Sequence, residues 1–194
     1  MALGDDRLDP VAVAVDVAHR LEALGVPYVV GGSLASSRHG EPRATLDVDL
    51  IARLTPQTAR RLARMMQADY YVDEDAASEA AAIASSFNAV HLASAIKVDV
   101  FVVGDEAFEA ERLRCRERVQ LGAETNDALW MDTAEHTVLR KLEWYRRGGE
   151  VSERQWRDVL GIIRIQGERL DRARLTEWAE HLGVSDLLER ALSG

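Results

Sequence analysis

Residues 29–50 read VVGGSLASSRHGEPRATLDVDL, and this stretch decides the fold. Its first part belongs to a short apolar run that starts at Pro27 and leads directly into Gly31-Gly32-Ser33. Its last part opens the segment Thr45–Ala52, where polar and apolar residues alternate as in a half-buried strand. The stretch therefore predicts a strand, a glycine turn that opens a short helix, and a second strand.

The second predicted strand carries two carboxylates on one face. Asp47 and Asp49 are two residues apart, and successive side chains of a strand point to opposite faces. Close carboxylates among apolar neighbours repel each other and are costly to desolvate. A divalent cation removes that cost, and Mg²⁺ prefers carboxylate oxygens. An isolated D-x-D is also compatible with the ordinary polar face of a half-exposed strand.

A third carboxylate repeats this pattern further along the chain. Asp99 lies within Lys97–Phe101 (KVDVF), a predicted strand whose valines point to the opposite face. Three carboxylates on strands can hold two metal ions roughly 3.5–4 Å apart. We therefore predict Asp47, Asp49 and Asp99 as catalytic and metal-binding residues for two Mg²⁺ ions, with Mn²⁺ as the alternative. Asp99 is the best candidate to help deprotonate an attacking hydroxyl.

The glycine turn before these acids is suited to a phosphate. Glycine lets the backbone approach an anion closely, and a helix N-terminus presents free N–H groups and a positive dipole end. The Ser33 hydroxyl can donate to a phosphate oxygen. Gly31, Gly32 and Ser33 are therefore predicted to bind the phosphates of a nucleotide, although such turns also occur at ordinary strand-to-helix connections.

Composition excludes several other classes of protein. The chain has 194 residues, 24 basic and 33 acidic, with a net charge of −9 and 47% hydrophobic residues, as in an ordinary globular protein. The single cysteine, Cys115, excludes an internal disulfide framework and a cysteine-based zinc cluster. The acidic balance argues against non-specific nucleic-acid binding. With no secretory leader pattern and no long apolar run, we expect a cytoplasmic protein without a membrane contact.

The order of the predicted elements gives the fold class. Strands and helices interleave in the first part of the chain, which predicts an α/β (α+β) fold with a mixed sheet flanked by helices. After Asn126 the pattern becomes helical, with helices predicted over 133–147, 153–166, 172–182 and 185–192. We therefore predict a catalytic core over residues 1–125 and a C-terminal helical subdomain over residues 126–194.

The quoted stretch resembles the signature of the polymerase-β-like nucleotidyltransferase superfamily. That signature is an apolar residue, Gly, Gly or Ser, a spacer, and then an Asp, an apolar residue and a second acid; here Leu34–Leu46 forms the spacer of 13 residues. The resemblance implies a nucleotidyltransferase fold with Asp99 as the third acid. It also implies transfer of a nucleoside monophosphate from an NTP to an acceptor hydroxyl, with release of pyrophosphate.

Residues 131–163, MDTAEHTVLRKLEWYRRGGEVSERQWRDVLGII, are similar to the distal region of AbiEii-type bacterial nucleotidyltransferases. In that group one helix carries a Lys and the next an Arg-Asp pair, which match Lys141 and Arg157-Asp158. The group includes toxins of toxin–antitoxin systems, some of which transfer nucleotides to RNA ends. The resemblance therefore implies an antitoxin as a partner protein.

The basic residues near these motifs suggest contacts with phosphate. A lysine ammonium can contact phosphate oxygens or neutralise an active-site acid, so Lys141 is predicted to be catalytic and nucleotide-binding, and Asp158 to orient Lys141 or Arg157. Arg43, four residues before Asp47, is predicted to reach a phosphate. A solvated lysine and an ordinary helix-face ion pair remain the alternatives for Lys141 and Asp158.

The sequence leaves three functions open. The first is a Mg²⁺-dependent nucleotidyltransferase whose acceptor is an RNA end, a protein hydroxyl or a small molecule. The second is a non-catalytic binding or regulatory module with the same fold. The third, a glycosyltransferase, explains the D-x-D but not the upstream glycine turn. A P-loop NTPase is excluded because the chain has no G-x-x-x-x-G-K-[ST] motif.

Overall fold

The computed structural model describes residues 9–121 and 127–194. These residues divide into two compact units, which are described separately. The first unit comprises the chain up to Leu34 together with Thr45–Met131, and the second comprises Ala35–Ala44 together with Asp132–Gly194. The predicted domain boundary between residues 125 and 126 lies outside the described residues and stays a prediction.

The described residues form seven strands and nine α-helices. The strands are β1 (Tyr28–Val30), β2 (Asp47–Ala52), β3 (Tyr70–Tyr71), β4 (Ser86–His91), β5 (Lys97–Val102), β6 (Glu117–Gln120) and β7 (Ala128–Met131). The helices are α1 (Pro10–Ala23), α2 (Gly32–His39), α3 (Pro56–Met66), α4 (Glu74–Ala82), α5 (Ala107–Cys115), α6 (Ala134–Arg147), α7 (Glu153–Gln166), α8 (Arg172–Leu182) and α9 (Ser185–Ser193). None of these helices is both long enough and apolar enough to cross a membrane.

Side-chain caps define the starts of several helices. Asp9 accepts a hydrogen bond from the backbone N–H of Val11, and Pro10 occupies the first turn of α1, as the sequence predicts. At α3, Thr55 and Thr58 form a reciprocal capping box in front of Pro56. These caps satisfy N–H groups that have no partner within their own helix.

The first unit is built around a mixed sheet with the strand order β3-β4-β5-β2-β1-β7-β6. The central pair β2 and β5 is parallel, and β1 runs antiparallel to β2. β7 pairs in parallel with β1 and antiparallel with β6. The sequence did not predict β7, because its four residues, ALWM, carry no polar alternation. The remaining architecture confirms the predicted mixed sheet flanked by helices.

The two faces of the central strands have different chemistry. On β2 and β5 the side chains of one face are fully buried; these are Val48, Leu50, Ala52, Val98, Val100 and Val102. Helix α1 contacts β1, β2 and β7 in this unit. On the opposite face Val29 and Ile51 pack with Leu113 of α5. The apolar packing fixes the register of the strands, because a slip of one residue would exchange the two faces.

The second unit consists of helices and the segments that connect them. Within it α6 contacts α7, α8 and α9, and α8 contacts α9. Its core contains the fully buried side chains Val138, Leu139, Leu142, Val159, Ile162, Leu175 and Ala179. Apolar residues at helical spacing on α6 and α7 therefore set how these two helices pack.

Candidate active site

The three predicted acids lie on one face of the central strands. β2 and β5 pair in parallel, with Asp49 directly beside Asp99 and Asp47 directly beside Lys97. Since side chains alternate along each strand, all four of these residues share a face. Asp49 and Asp99 are half-buried and Asp47 is exposed. The register therefore concentrates three carboxylates on two neighbouring strands.

Lys97 is a member of this cluster that the sequence-based prediction missed. Its Nζ lies 2.7 Å from Oδ2 of Asp99, whose side chain is 16% exposed. The hydrogen bond to Asp99 raises the pKa of Lys97, and the negative charges of Asp99, Asp47 and Asp49 act in the same direction. One ammonium thus interacts with all three carboxylates. The signal in the sequence was its position two residues before Asp99, which places both side chains on one face.

The glycine turn approaches the acids closely. The N–H of Gly31 donates to the backbone carbonyl of Asp49 over 3.0 Å, which joins the end of β1 to β2. Helix α2 starts at Gly32, whose φ of +56° is in the left-handed region. A Cβ at Gly32 would overlap the Asp49 carboxylate and lie 2.8 Å from the Cβ of Asp49. Only glycine accommodates both this backbone conformation and this contact.

The donor set matches the ligands of a hard divalent cation. Carboxylate oxygens are the ligands that Mg²⁺ and Mn²⁺ prefer, and Asp47, Asp49 and Asp99 supply them from one face. Within residues 9–121 and 127–194, no three Asp, Glu, His or Cys side chains already stand in metal-binding geometry. The ion pair with Lys97 occupies Asp99 in this arrangement. The assignment of these acids to metal binding stays a prediction.

Alanine at Gly32 is expected to destabilise the protein more than alanine at Gly25. Both glycines have positive φ, but an added Cβ at Gly25 meets nothing within 4 Å. Gly25→Ala should therefore cost only the left-handed strain, about 1 kcal/mol. Gly32→Ala should cost clearly more, because Asp49 must also move. Chemical denaturation of both variants measures the difference, and equal costs would contradict the close contact between Gly32 and Asp49.

The second unit contains a separate charged cluster around Asp158. On α7, Asp158 accepts hydrogen bonds from Nε and Nη2 of Arg43, both over 3.2 Å. Nζ of Lys141, on α6, donates to Oδ2 of Asp158 over 2.7 Å and to Oε1 of Gln155 over 3.2 Å. Ser36 of α2 also donates to Asp158, over 3.4 Å. One carboxylate thus holds an ammonium and a guanidinium.

The charged groups of this cluster are largely buried. The side chains of Lys141 and Asp158 are 8% and 9% exposed. Burial by itself raises the pKa of Asp158, but the hydrogen bonds and positive charges of Lys141 and Arg43 outweigh it and hold that pKa below its ordinary value. Asp158 is therefore ionised at neutral pH, and it fixes the position of both cations.

The predicted site residues thus fall into two sets. Within the first unit the structure brings together Gly31, Gly32, Asp47, Asp49 and Asp99. Ser33 follows Gly32 in the first turn of α2.

Within the second unit the structure brings together Arg43, Lys141 and Asp158. The sequence predicted the pairing of Lys141 with Asp158 but not the contact of Arg43 with Asp158. Of the predicted pair Arg157-Asp158, Asp158 accepts a hydrogen bond from Lys141. Ser36 and Gln155 were missed; Gln155 lies three residues before Asp158, a spacing that places both on one face of a helix.

Comparison with known proteins gives the class to which this fold belongs. An antigenic nucleotidyltransferase-like protein from Paracoccidioides brasiliensis matches with a TM-score of 0.54 and 18% identity, over 98% of this chain and 94% of the other. The antibiotic-resistance factor ANT(2'')-Ia matches with a TM-score of 0.54 and 16% identity, over 92% and 96% of the two chains. No family model and no curated protein sequence matches the chain.

These similarities establish a nucleotidyltransferase-like fold. Both matches extend over nearly the whole of each chain, so the likeness includes both the sheet-containing and the helical part. The predicted fold class is thereby confirmed.

Proposed function

We propose that the protein is a metal-dependent nucleotidyltransferase that transfers a nucleoside monophosphate from an NTP to an acceptor hydroxyl. The observation that carries this proposal is the register of β2 and β5, in which Asp49 lies beside Asp99 with Asp47 on the same face. The glycine turn in contact with Asp49 supports it, because a phosphate can approach the backbone there. The nucleotidyltransferase-like fold of the similar structures agrees with this chemistry.

In this proposal each element of the first unit has a distinct task. Gly31, Gly32 and Ser33 bind the triphosphate through backbone N–H groups and the serine hydroxyl. Asp47, Asp49 and Asp99 hold Mg²⁺ or Mn²⁺, which when bound neutralises phosphate charge and lowers the pKa of the acceptor hydroxyl.

The proposed reaction follows from these tasks. The acceptor oxygen forms a bond to the α-phosphorus, and the bond from that phosphorus to the pyrophosphate oxygen breaks. Asp99 accepts the hydroxyl proton or positions the hydroxyl for its loss. Positioning and electrostatics supply most of the acceleration in such transfers.

The charged cluster of the second unit is proposed to bind nucleotide. Arg43 and Lys141 each carry a positive charge, and both are held by hydrogen bonds to Asp158. Cationic side chains held in place by hydrogen bonds suit a phosphate. Lys141 keeps its predicted catalytic and nucleotide-binding role, with Asp158 as the residue that positions it.

Three classes of acceptor are proposed, and particular observations favour two of them. The resemblance of residues 131–163 to AbiEii-type proteins favours an RNA end, and with it a toxin–antitoxin role and an antitoxin partner. The structural likeness to an antibiotic-resistance factor favours a hydroxyl of a small molecule. A protein hydroxyl is the third class.

Label transfer tests the activity and the acceptor together. The chain is incubated with each α-³²P-labelled NTP, Mg²⁺ or Mn²⁺, and separate RNA, protein and small-molecule fractions of a cell extract. We expect label from one NTP to appear in one fraction and to require the metal. The variant Asp47→Ala/Asp49→Ala is the negative control, and equal transfer by this variant and the wild type would refute the proposal.

A non-catalytic binding module is the alternative function. It is favoured by one observation, the 2.7 Å ion pair between Lys97 and Asp99, which neutralises part of the carboxylate charge without a metal. Calorimetric titration with Mg²⁺ and each NTP separates the two functions. Absence of binding, together with absence of label transfer, would favour the module.

A further inference from the structure

Lys97 faces the proposed metal-binding acids from the same side of the sheet. It is one of only two lysines in the chain, and its Cα lies opposite that of Asp47 across the β2–β5 pair. Its ammonium contacts Oδ2 of Asp99 at 2.7 Å. Lys97 therefore supplies a positive charge next to two of the predicted metal ligands, Asp47 and Asp99.

We propose that Lys97 is the resident counterion of this carboxylate cluster, and that a divalent cation completes its site by displacing the Lys97 ammonium from Asp99. The inference rests on the proposed metal site and adds that the Lys97 ammonium competes with the metal ion for Asp99. The ammonium and a divalent cation repel each other, so a cation bound to Asp99 disfavours the present contact of Lys97 with the same carboxylate. The Lys97 side chain is 42% exposed, so its flexible stem can leave without disturbing the buried face of β5.

Displacement has a defined electrostatic consequence. Lys97 places one positive charge among the carboxylates, so the cluster attracts a divalent cation less strongly than it would without Lys97. Two unit charges 4 Å apart interact by about 1 kcal/mol even in water, and by more for a divalent ion or in a less polar site. Lys97 therefore lowers metal affinity while it stabilises the metal-free protein.

Metal titration measures the first consequence. Binding of Mn²⁺ in the absence of nucleotide is followed by calorimetry for the wild type, Lys97→Met and Lys97→Arg. We expect the Kd of Lys97→Met to be at least about tenfold lower than that of the wild type, and Lys97→Arg to remain close to the wild type. Arg60→Met removes one charge from an exposed ion pair on α3 and serves as the control. An unchanged or weaker Mn²⁺ affinity in Lys97→Met would overturn the proposal.

Nuclear magnetic resonance measures the displacement itself. Since the chain has only Lys97 and Lys141, ¹³C-lysine labelling gives two side-chain sets, and Lys97→Arg assigns them. Addition of Mg²⁺ to the wild type should shift the Lys97 Cε resonance, and Asp47→Asn/Asp49→Asn should abolish that shift. A Lys97 resonance that stays in place while calorimetry records Mg²⁺ binding contradicts displacement.

Melting in EDTA separates failure of this inference from failure of the proposed function. Without metal, Lys97→Met should melt below Lys97→Arg and the wild type, because Asp99 loses its ion pair and the neighbouring carboxylates lose one nearby positive charge. If no variant binds Mn²⁺ or Mg²⁺, the proposed metal site is wrong, and the proposed displacement of Lys97 is wrong as well. The melting temperatures in EDTA then test only whether Lys97 is a counterion of the carboxylates. Equal melting temperatures for Lys97→Met and the wild type would overturn that role too.

Discussion

Asp49→Asn is expected to lower the rate of nucleotidyl transfer by at least about a thousandfold, since loss of a metal-binding carboxylate removes several kcal/mol of transition-state stabilisation. Asp49 pairs in register with Asp99 and lies against Gly32, so it stands at the centre of the proposed site. Asparagine keeps the shape of aspartate and removes only its charge. The measurement is the initial rate of label transfer at saturating NTP and metal.

Stability should respond much less than activity to Asp49→Asn. Relief of like-charge repulsion among the three carboxylates offsets the loss of attraction to Lys97, so the melting temperature in EDTA should stay close to that of the wild type. A purely structural aspartate would instead lose rate and stability together. Asp105→Asn, at a side chain that is 96% exposed, is the matched control and should retain the wild-type rate. Wild-type activity in Asp49→Asn would remove this residue from the catalytic site.

Asp158→Asn is expected to give the largest loss of stability in the second unit. It removes the charge that lies 2.7 Å from the ammonium of Lys141, a side chain that is 8% exposed. Breaking one side of a buried ion pair costs about 3 kcal/mol, which corresponds to roughly 6–12 °C in Tm for a domain of this size. Thermal unfolding at neutral pH measures the change.

Two further variants show whether this loss comes from breaking the Lys141–Asp158 ion pair. Lys141→Met added to Asp158→Asn removes the buried ammonium as well and should recover a large part of the lost stability. Asp186→Asn breaks an exposed ion pair with Arg146 and should change Tm little. A Tm of Asp158→Asn equal to that of the control would show that the cluster contributes nothing to stability.

The same cluster predicts a pH dependence with a defined sign. The pKa of Asp158 is lower in the folded protein than its ordinary value of 3.8. Its contribution to stability is therefore fully present above that ordinary value and is lost as the pH falls through the lowered pKa of the folded state. The difference in unfolding free energy between the wild type and Asp158→Asn should shrink on acidification below about pH 4. A difference that is constant from pH 7 to pH 3 would contradict this assignment.

Local sequence patterns were sufficient to predict most of the secondary structure. Alternation predicted β2, and the cap at Asp9-Pro10 predicted the start of α1. Both signals depend on residues adjacent in the chain. β7 has no such signal, because it is a short buried strand whose partners, β1 and β6, come from other parts of the sequence. Pairing with these strands, and not the propensity of ALWM, makes it a strand.

Some features of the candidate site also follow from the local sequence, and others depend on the tertiary structure. The sequence by itself determined that Asp47 and Asp49 share a face and that a glycine turn precedes them, because both follow from chain spacing. Only the tertiary structure decided that Asp99 lies beside Asp49, that Lys97 neutralises part of that cluster, and that Arg43 joins Lys141 at Asp158. Asp49 and Asp99 lie on different strands, and Arg43 and Asp158 are 115 residues apart. Strand register and helix packing, which arise from burial of distant apolar side chains, bring these residues into contact.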